Sequence, residues 1–132
     1  MKVVVASGKR KSAVARASVR KGKGLVRVNN VPIEIFEPAL ARTKIMEPLT
    51  LAGELSSKVN IDVNVQGGGI MGQASASRTA IAKGMVQFLE DKDLESMFMK
   101  YDRSLLVSDP RRKLPKTPLG RGARKNRQKS YR

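Results

Sequence analysis

The chain has no cysteine, no histidine and no tryptophan, and only five aromatic residues. Without cysteine, disulfides and thiolate metal sites are excluded. Without histidine as well, a zinc site and an imidazole acid–base pair are excluded too. A core must therefore be built from Val, Ile, Leu, Ala and Met. No apolar run approaches the roughly 18 residues of a membrane span. Met1–Gly8 meets charge too soon for a secretory leader and reads as a first strand, so the expected compartment is the cytoplasm. Acids, finally, are missing from both ends. Residues 1–33 hold nine Lys or Arg and no acid, and residues 110–132 hold ten and no acid. Residues 34–109 hold eight bases against eleven acids. A near-neutral centre between two acid-free basic ends is the charge pattern of a folded body held on a polyanion by its extremities.

The composition fits one domain of 132 residues. The expected division is a globular body over 1–109 and an extended basic tail over 110–132. Asp109-Pro110 marks the junction. The tail is too polar and too rich in Gly and Pro to fold alone.

Along the body, residues 2–6 read as a strand and Lys9-Arg10-Lys11 as a basic turn. Ala13, Ala15, Ala17 and Val19 alternate with polar residues, which predicts a half-buried strand under a closely packed helix. Lys21–Gly24 reads as a hairpin loop and Leu25–Val28 as the return strand of an antiparallel meander. Glu37-Pro38 opens a helix carrying Leu40, Ala41, Ile45 and Met46. Pro48 is expected to break it, leaving a second short turn of helix through Leu51 that Gly53 ends. Val59, Ile61, Val63 and Val65 alternate strictly with polar residues and predict a strand with one buried face. A long helix is expected over 71–90, with Ala74, Ser77, Ile81, Met85, Phe88 and Leu89 inward and Arg78 and Lys83 off that stripe. Asp91 and Asp93 cap a short helix over 94–101, with Met97 and Phe98 inward. Leu105-Leu106-Val107 reads as an edge strand.

The run Gly67-Gly68-Gly69-Ile70-Met71-Gly72-Gln73, between strand and helix, has three readings. As a nucleotide phosphate loop it lacks the Lys-Ser/Thr of the Walker form. It is similar to the loop of small-molecule kinases with a split βαβ core, but those need a longer chain and further acids. As a structural element it allows a sharp turn and tight helix packing. As an RNA contact it brings backbone N–H groups at the helix N-terminus to a phosphate, with Arg78 and Lys83 nearby. The second and third readings are compatible.

Lys9, Arg10 and Lys11, flanked by Ser7 and Ser12, form a second candidate phosphate contact, joined by Arg16. In the tail, Arg111, Arg112, Arg121, Arg124 and Arg127 suit bidentate phosphate contacts, with Lys113, Lys116 and Lys125 beside them. Tyr131 offers a ring for stacking on a base or sugar. A weak, non-specific basic tail also fits the composition, though the defined start at Asp109-Pro110 favours a directed extension, and a DNA-binding or chromatin protein fits the charge.

Three blocks together resemble the universal small-subunit ribosomal protein nine family. They are Gly8–Ala17, the stretch from Gly67 to Met85, and Asp102–Arg112. The ending Gln128-Lys129-Ser130-Tyr131-Arg132 is similar to archaeal and eukaryotic members, and the short N-terminus points to an archaeal type. The resemblance implies an α+β fold. Its core is of the ribosomal split βαβ type, a four- to five-stranded sheet with helices on one face. It implies a structural protein of the small-subunit head, not an enzyme, with no cofactor, metal, membrane or small-molecule substrate. It implies rRNA contacts through Lys9, Arg10, Lys11, Arg16, Gly67, Gly68, Gly69, Arg78, Lys83 and the tail. Its implied partners are small-subunit rRNA, neighbouring head proteins and the anticodon stem-loop of P-site tRNA. The tRNA would be reached by Lys129, Tyr131 and Arg132.

Overall fold

The computed structural model describes residues 2–125 and 130. Five strands form one mixed sheet, with the helices on one face. Strand β1 (Val3–Arg10) turns through Lys11-Ser12 into β2 (Ala13–Lys21). Arg10 pairs with Ala13, so the hairpin loop has two residues, and Lys11 takes the left-handed conformation at φ 53°. Lys9 and Arg10 thus belong to a strand rather than to the turn expected from the basic triplet.

The meander stops there. β3 (Val26–Val28) does not return along β2. It pairs with β4 (Val31–Pro32) and, in parallel, with β5 (Val59–Gln66), giving the order β1-β2-β5-β3-β4. The physical reason is ladder length. β5 offers β2 a register of eight pairs, from Lys21↔Val59 to Val14↔Gln66, and its alternation buries Val59, Ile61, Val63 and Val65. A three-residue strand cannot compete for that edge. The Lys21–Gly24 loop instead bends around the start of β5, where Gly22 N and Gly24 N donate to Lys58 O and Val59 O.

The parallel β3–β5 pair needs a crossover, which α1 (Ala39–Ala52) supplies. α1 runs unbroken through Pro48, against the expected break. Ala41, Ile45, Pro48 and Ala52 are its buried residues, at helical spacing. Burial of that stripe against the next helix outweighs the hydrogen bond lost at proline. Gly53 ends α1 with φ 60°, as expected.

Helix α2 (Ile70–Leu89) is the centre of the core. It lies across β1 and β2, and Ala74, Ala76, Ala80, Ile81, Ala82 and Met85 are buried. The approach is close because both surfaces are small. A Cβ on Gly8 would sit 2.3 Å from Ala76 O and 2.8 Å from Ala80 N. Helix α3 (Lys92–Tyr101) starts at Asp91, whose side chain accepts from Asp93 N and Leu94 N. Leu94 and Phe98 point inward and Met97 is exposed, so the expected Met97–Phe98 pair is replaced by an i, i+4 pair. Residues 105–107 form no strand. Asp102 Oδ1 accepts from Ser104 N and directs the chain into a 3-10 turn over Arg103–Leu105. Only an isolated parallel bridge, Arg10↔Asp109, touches the edge of β1. From Pro110 to Lys125 there is no helix or strand. Among the described residues no helix is long and apolar enough to cross a membrane.

Candidate RNA interface

Five basic groups of the body, Lys9, Arg10, Lys11, Lys44 and Arg78, gather where the β1–β2 turn, the glycine loop and the tail junction meet. Gly67 and Gly68 are left-handed, at φ 77° and 66°, and fold the loop onto the hairpin. A Cβ on Gly67 would lie 2.5 Å from Ser12 O. Gln73 Nε2 ties the loop from inside by donating to Gly67 O at 3.0 Å. Gly69 is the N-cap of α2, and no side chain caps that helix. Its first N–H groups are therefore left for solvent or an anion. Arg10, Lys11, Ser12, Lys44, Gly68, Gly69, Gly72 and Ser75 line a groove of about 430 Å³ there, with no acid in it.

A second cleft of about 270 Å³ continues from the first, sharing Arg10, Lys44 and Ser75. It adds Lys9, Arg78 and Arg111, and two acids, Asp102 and Asp109. Both acids are already engaged by arginines. Asp109 pairs with Arg10 and Arg111, the latter Nη2 at 2.7 Å. The Arg111 guanidinium, then Arg111 N–H and Arg10, hold its carboxyl far below the usual carboxylate range. The resulting trough is electropositive from the glycine loop to the start of the tail.

Arg78 departs from its expected place. It is 7% exposed, not a free surface cation. Its Nη2 donates to Asp102 Oδ2 at 2.7 Å, and its Nη1 to Ser104 Oγ at 3.3 Å. Its Nε lies 2.7 Å from Glu47 Oε2 without aiming its N–H at that oxygen, so this contact is Coulombic rather than a hydrogen bond. Arg78 therefore joins α1, α2 and the 3-10 turn, and serves the trough as a wall. Lys83 is spent elsewhere. Its Nζ donates to Ser7 O and Ser108 Oγ, tying α2 to β1 and the tail junction. Arg16 lies exposed on the far face of the sheet, also outside the trough. Arg112, Lys113, Lys116, Arg121, Arg124 and Lys125 are exposed. Arg127, Lys129, Tyr131 and Arg132 lie outside the described residues. Lys44 is the contributor that the sequence pattern does not mark. It sits within a helix of mixed polarity, and only the crossover carries it to the glycine loop.

The Arg78 hydrogen bond, followed by that from Ser104 N, lowers Asp102 from 3.8 to about 2. A carboxyl depressed in the folded state stabilises above its unfolded value, and this contribution is lost as pH falls through the folded one. Between about pH 4 and pH 2 the natural chain is expected to lose more stability than Asp102→Asn does. Urea unfolding at pH 6 and pH 2.5 reads the difference. Parallel losses in the two proteins would remove Asp102 from the acid response.

Comparison with known proteins gives the family of the chain. The family model described as ribosomal protein S9/S16 matches residues 8–132. The chain belongs to the ribosomal protein S9 family. The relatives compared next are archaeal. It is 54% identical over 132 residues to the small ribosomal subunit protein uS9 of Thermoplasma volcanium, covering all of both chains. It is 56% identical, again over the whole of both, to that of Methanothrix thermoacetophila. Against that of Thermoplasma acidophilum it is 53% identical over 129 residues, 98% of this chain and the whole of the other. This is a family of structural ribosomal proteins, not of enzymes, and the chain is an archaeal-type small-subunit member.

Proposed function

We propose that this chain is a structural element of the small-subunit head. The body is positioned on rRNA by the trough, and the tail extends from it along rRNA to P-site tRNA. The carrying observation is the continuity of the trough with the tail. Lys9, Arg10, Lys11 and Lys44 gather beside the uncapped N-terminus of α2, and Arg111 continues the charge into an acid-free segment. Phosphates are the ligand this arrangement suits. Point cations, guanidinium forks and backbone N–H groups all donate, and a phosphate only accepts. The body over 1–109 fixes position, and the tail over 110–132 adds the phosphate contacts of its ten Lys and Arg. The chain works in the cytoplasm, bound to the ribosome.

Tyr131 and Arg132 are the residues proposed to reach the tRNA, with Lys129 in support. A photo-crosslinker at position 131 of reconstituted subunits tests this. The expected product joins the chain to the anticodon stem-loop of P-site tRNA and disappears when the P site is empty. Crosslinks to rRNA alone, unchanged by tRNA, would end the tRNA reading and leave the rRNA reading standing.

A further inference from the structure

The sheet face that no helix covers carries three guanidiniums from β2 and β3: Arg16, Arg20 and Arg27. Two of them share one acid. Arg20 Nη2 and Arg27 Nε each lie 3.0 Å from an Asp62 carboxylate oxygen. Arg16 has no ion-pair or hydrogen-bond partner among the described residues and is exposed. In the β2–β5 register it faces Asn64, and Val14 faces Gln66. Directly opposed side chains on one sheet face stand roughly 5 Å apart at Cβ. Asn64 and Gln66 are likewise exposed and make no side-chain hydrogen bond among the described residues.

The amides of Asn60 and Asn29 beside them on the sheet are already engaged. Asn60 Oδ1 accepts from Lys23 N and Leu25 N. Asn29 is spent on Val65, donating to its carbonyl at 3.3 Å and accepting from its N–H at 3.0 Å. Asn29 prolongs the β3 edge beyond Val28 in this way, and the β3–β4 turn then stands as a wall beside the ladder. The corner so formed is a cleft of about 360 Å³ lined by Val14, Arg16, Asn29, Asn64, Val65 and Gln66. Its volume lies in the range that holds a small ligand, roughly 300–1,000 Å³.

We propose that this cleft receives one unpaired RNA nucleotide, with the Arg16 guanidinium against its base or phosphate and the Asn64 and Gln66 amides on the base edge. The proposal rests on the rRNA-binding reading and names a second, chemically different contact. The trough is dominated by cations and backbone N–H groups, its two carboxylates already paired with arginines, which suits phosphates. This cleft offers one cation and two neutral amides, each both donor and acceptor. A phosphate leaves the amide acceptors unused, whereas a base edge presents donors and acceptors together. A walled corner admits a base turned out of its helix, and single-stranded RNA is read by amide hydrogen bonds and by stacking on arginine.

The test uses the full chain and deproteinised small-subunit rRNA, with Asn64→Ala/Gln66→Ala and Arg16→Ala variants whose circular dichroism and melting match the natural chain. Binding is measured across a salt series, and base edges and backbone are probed chemically. The double variant is expected to lose affinity about tenfold, the order of one well-made base contact, with no change in salt slope. One unpaired base should regain reactivity at its edge while backbone protections persist. Arg16→Ala should expose the same nucleotide. Unchanged base protections in both variants would overturn the proposal, as would an affinity loss in the double variant accompanied by a smaller salt slope. Failure of the natural chain itself to protect rRNA would instead overturn the rRNA reading.

Discussion

Gly8→Ala is expected to cost about 3 kcal/mol of folding stability, at the upper end of what one overpacked methyl does in a core. The added Cβ meets backbone on both sides, 2.3 Å from Ala76 O and 2.8 Å from Ala80 N, and 3.0 Å from Thr79 Cβ. No flexible side-chain tip is there to yield. Either α2 rises from β1 or the strand bends outward. Both responses disturb the interface as well, because Lys9 and Arg10 follow Gly8 directly and line the trough with Ser75 of α2. The control is Gly122→Ala, whose Cβ would meet nothing within 4 Å. It should stay within about 0.5 kcal/mol of the natural chain. Urea unfolding of the three proteins measures this. A Gly8→Ala variant as stable as the control would mean that α2 and β1 are not packed this closely.

Truncation after Asp109 is expected to have the largest effect on binding. It removes ten Lys or Arg and no acid. If every one neutralises a phosphate, the logarithmic salt slope of rRNA binding falls by roughly 7 to 9. A smaller loss counts the tail cations that find no phosphate. Affinity in moderate salt should then drop on the order of a thousandfold or more. The body should stay folded, because the buried core of α2, β2 and β5 lies entirely before the cut. Its one described loss is the Arg111–Asp109 pair, which is largely exposed on the Arg111 side. Filter binding across a salt series, with thermal melting of both proteins, reads the two halves of the prediction. An unchanged slope would place the RNA contacts on the body alone. A truncated chain that no longer melts cooperatively would show that the tail is part of the fold.

Much of this architecture is legible in short-range pattern. The alternations at Ala13–Val19 and Val59–Val65 specify two strands and their buried faces. The Asp91 cap, the Gly53 stop and the span of α2 follow from local chemistry. Three of the misreadings, at β3, Pro48 and Arg78, share one cause, competition between segments distant in sequence. β3 looks like a hairpin return until β5 arrives with a longer ladder for the same edge. Pro48 looks like a break until α2 buries the stripe on either side of it. Arg78 looks like a surface cation until Glu47 and Asp102, from two other elements, converge on it. Lys44 carries no local sign of its place for the same reason. The basic triplet, the glycine loop and the tail junction are each visible alone as candidate contacts. Their union in one trough is a property of the packed structure.

Trough and tail together hold the chain on small-subunit rRNA, and neither suffices alone in high salt. Sedimentation of a native cell extract through a gradient, at low and then at high salt, tests this claim most directly. The account predicts co-migration with the small subunit under both conditions, since many contacts act together on one rRNA. In the same experiment the form ending at Asp109 should leave the subunit in high salt. Migration of the full chain at the top of the gradient, or with DNA, would contradict the claim.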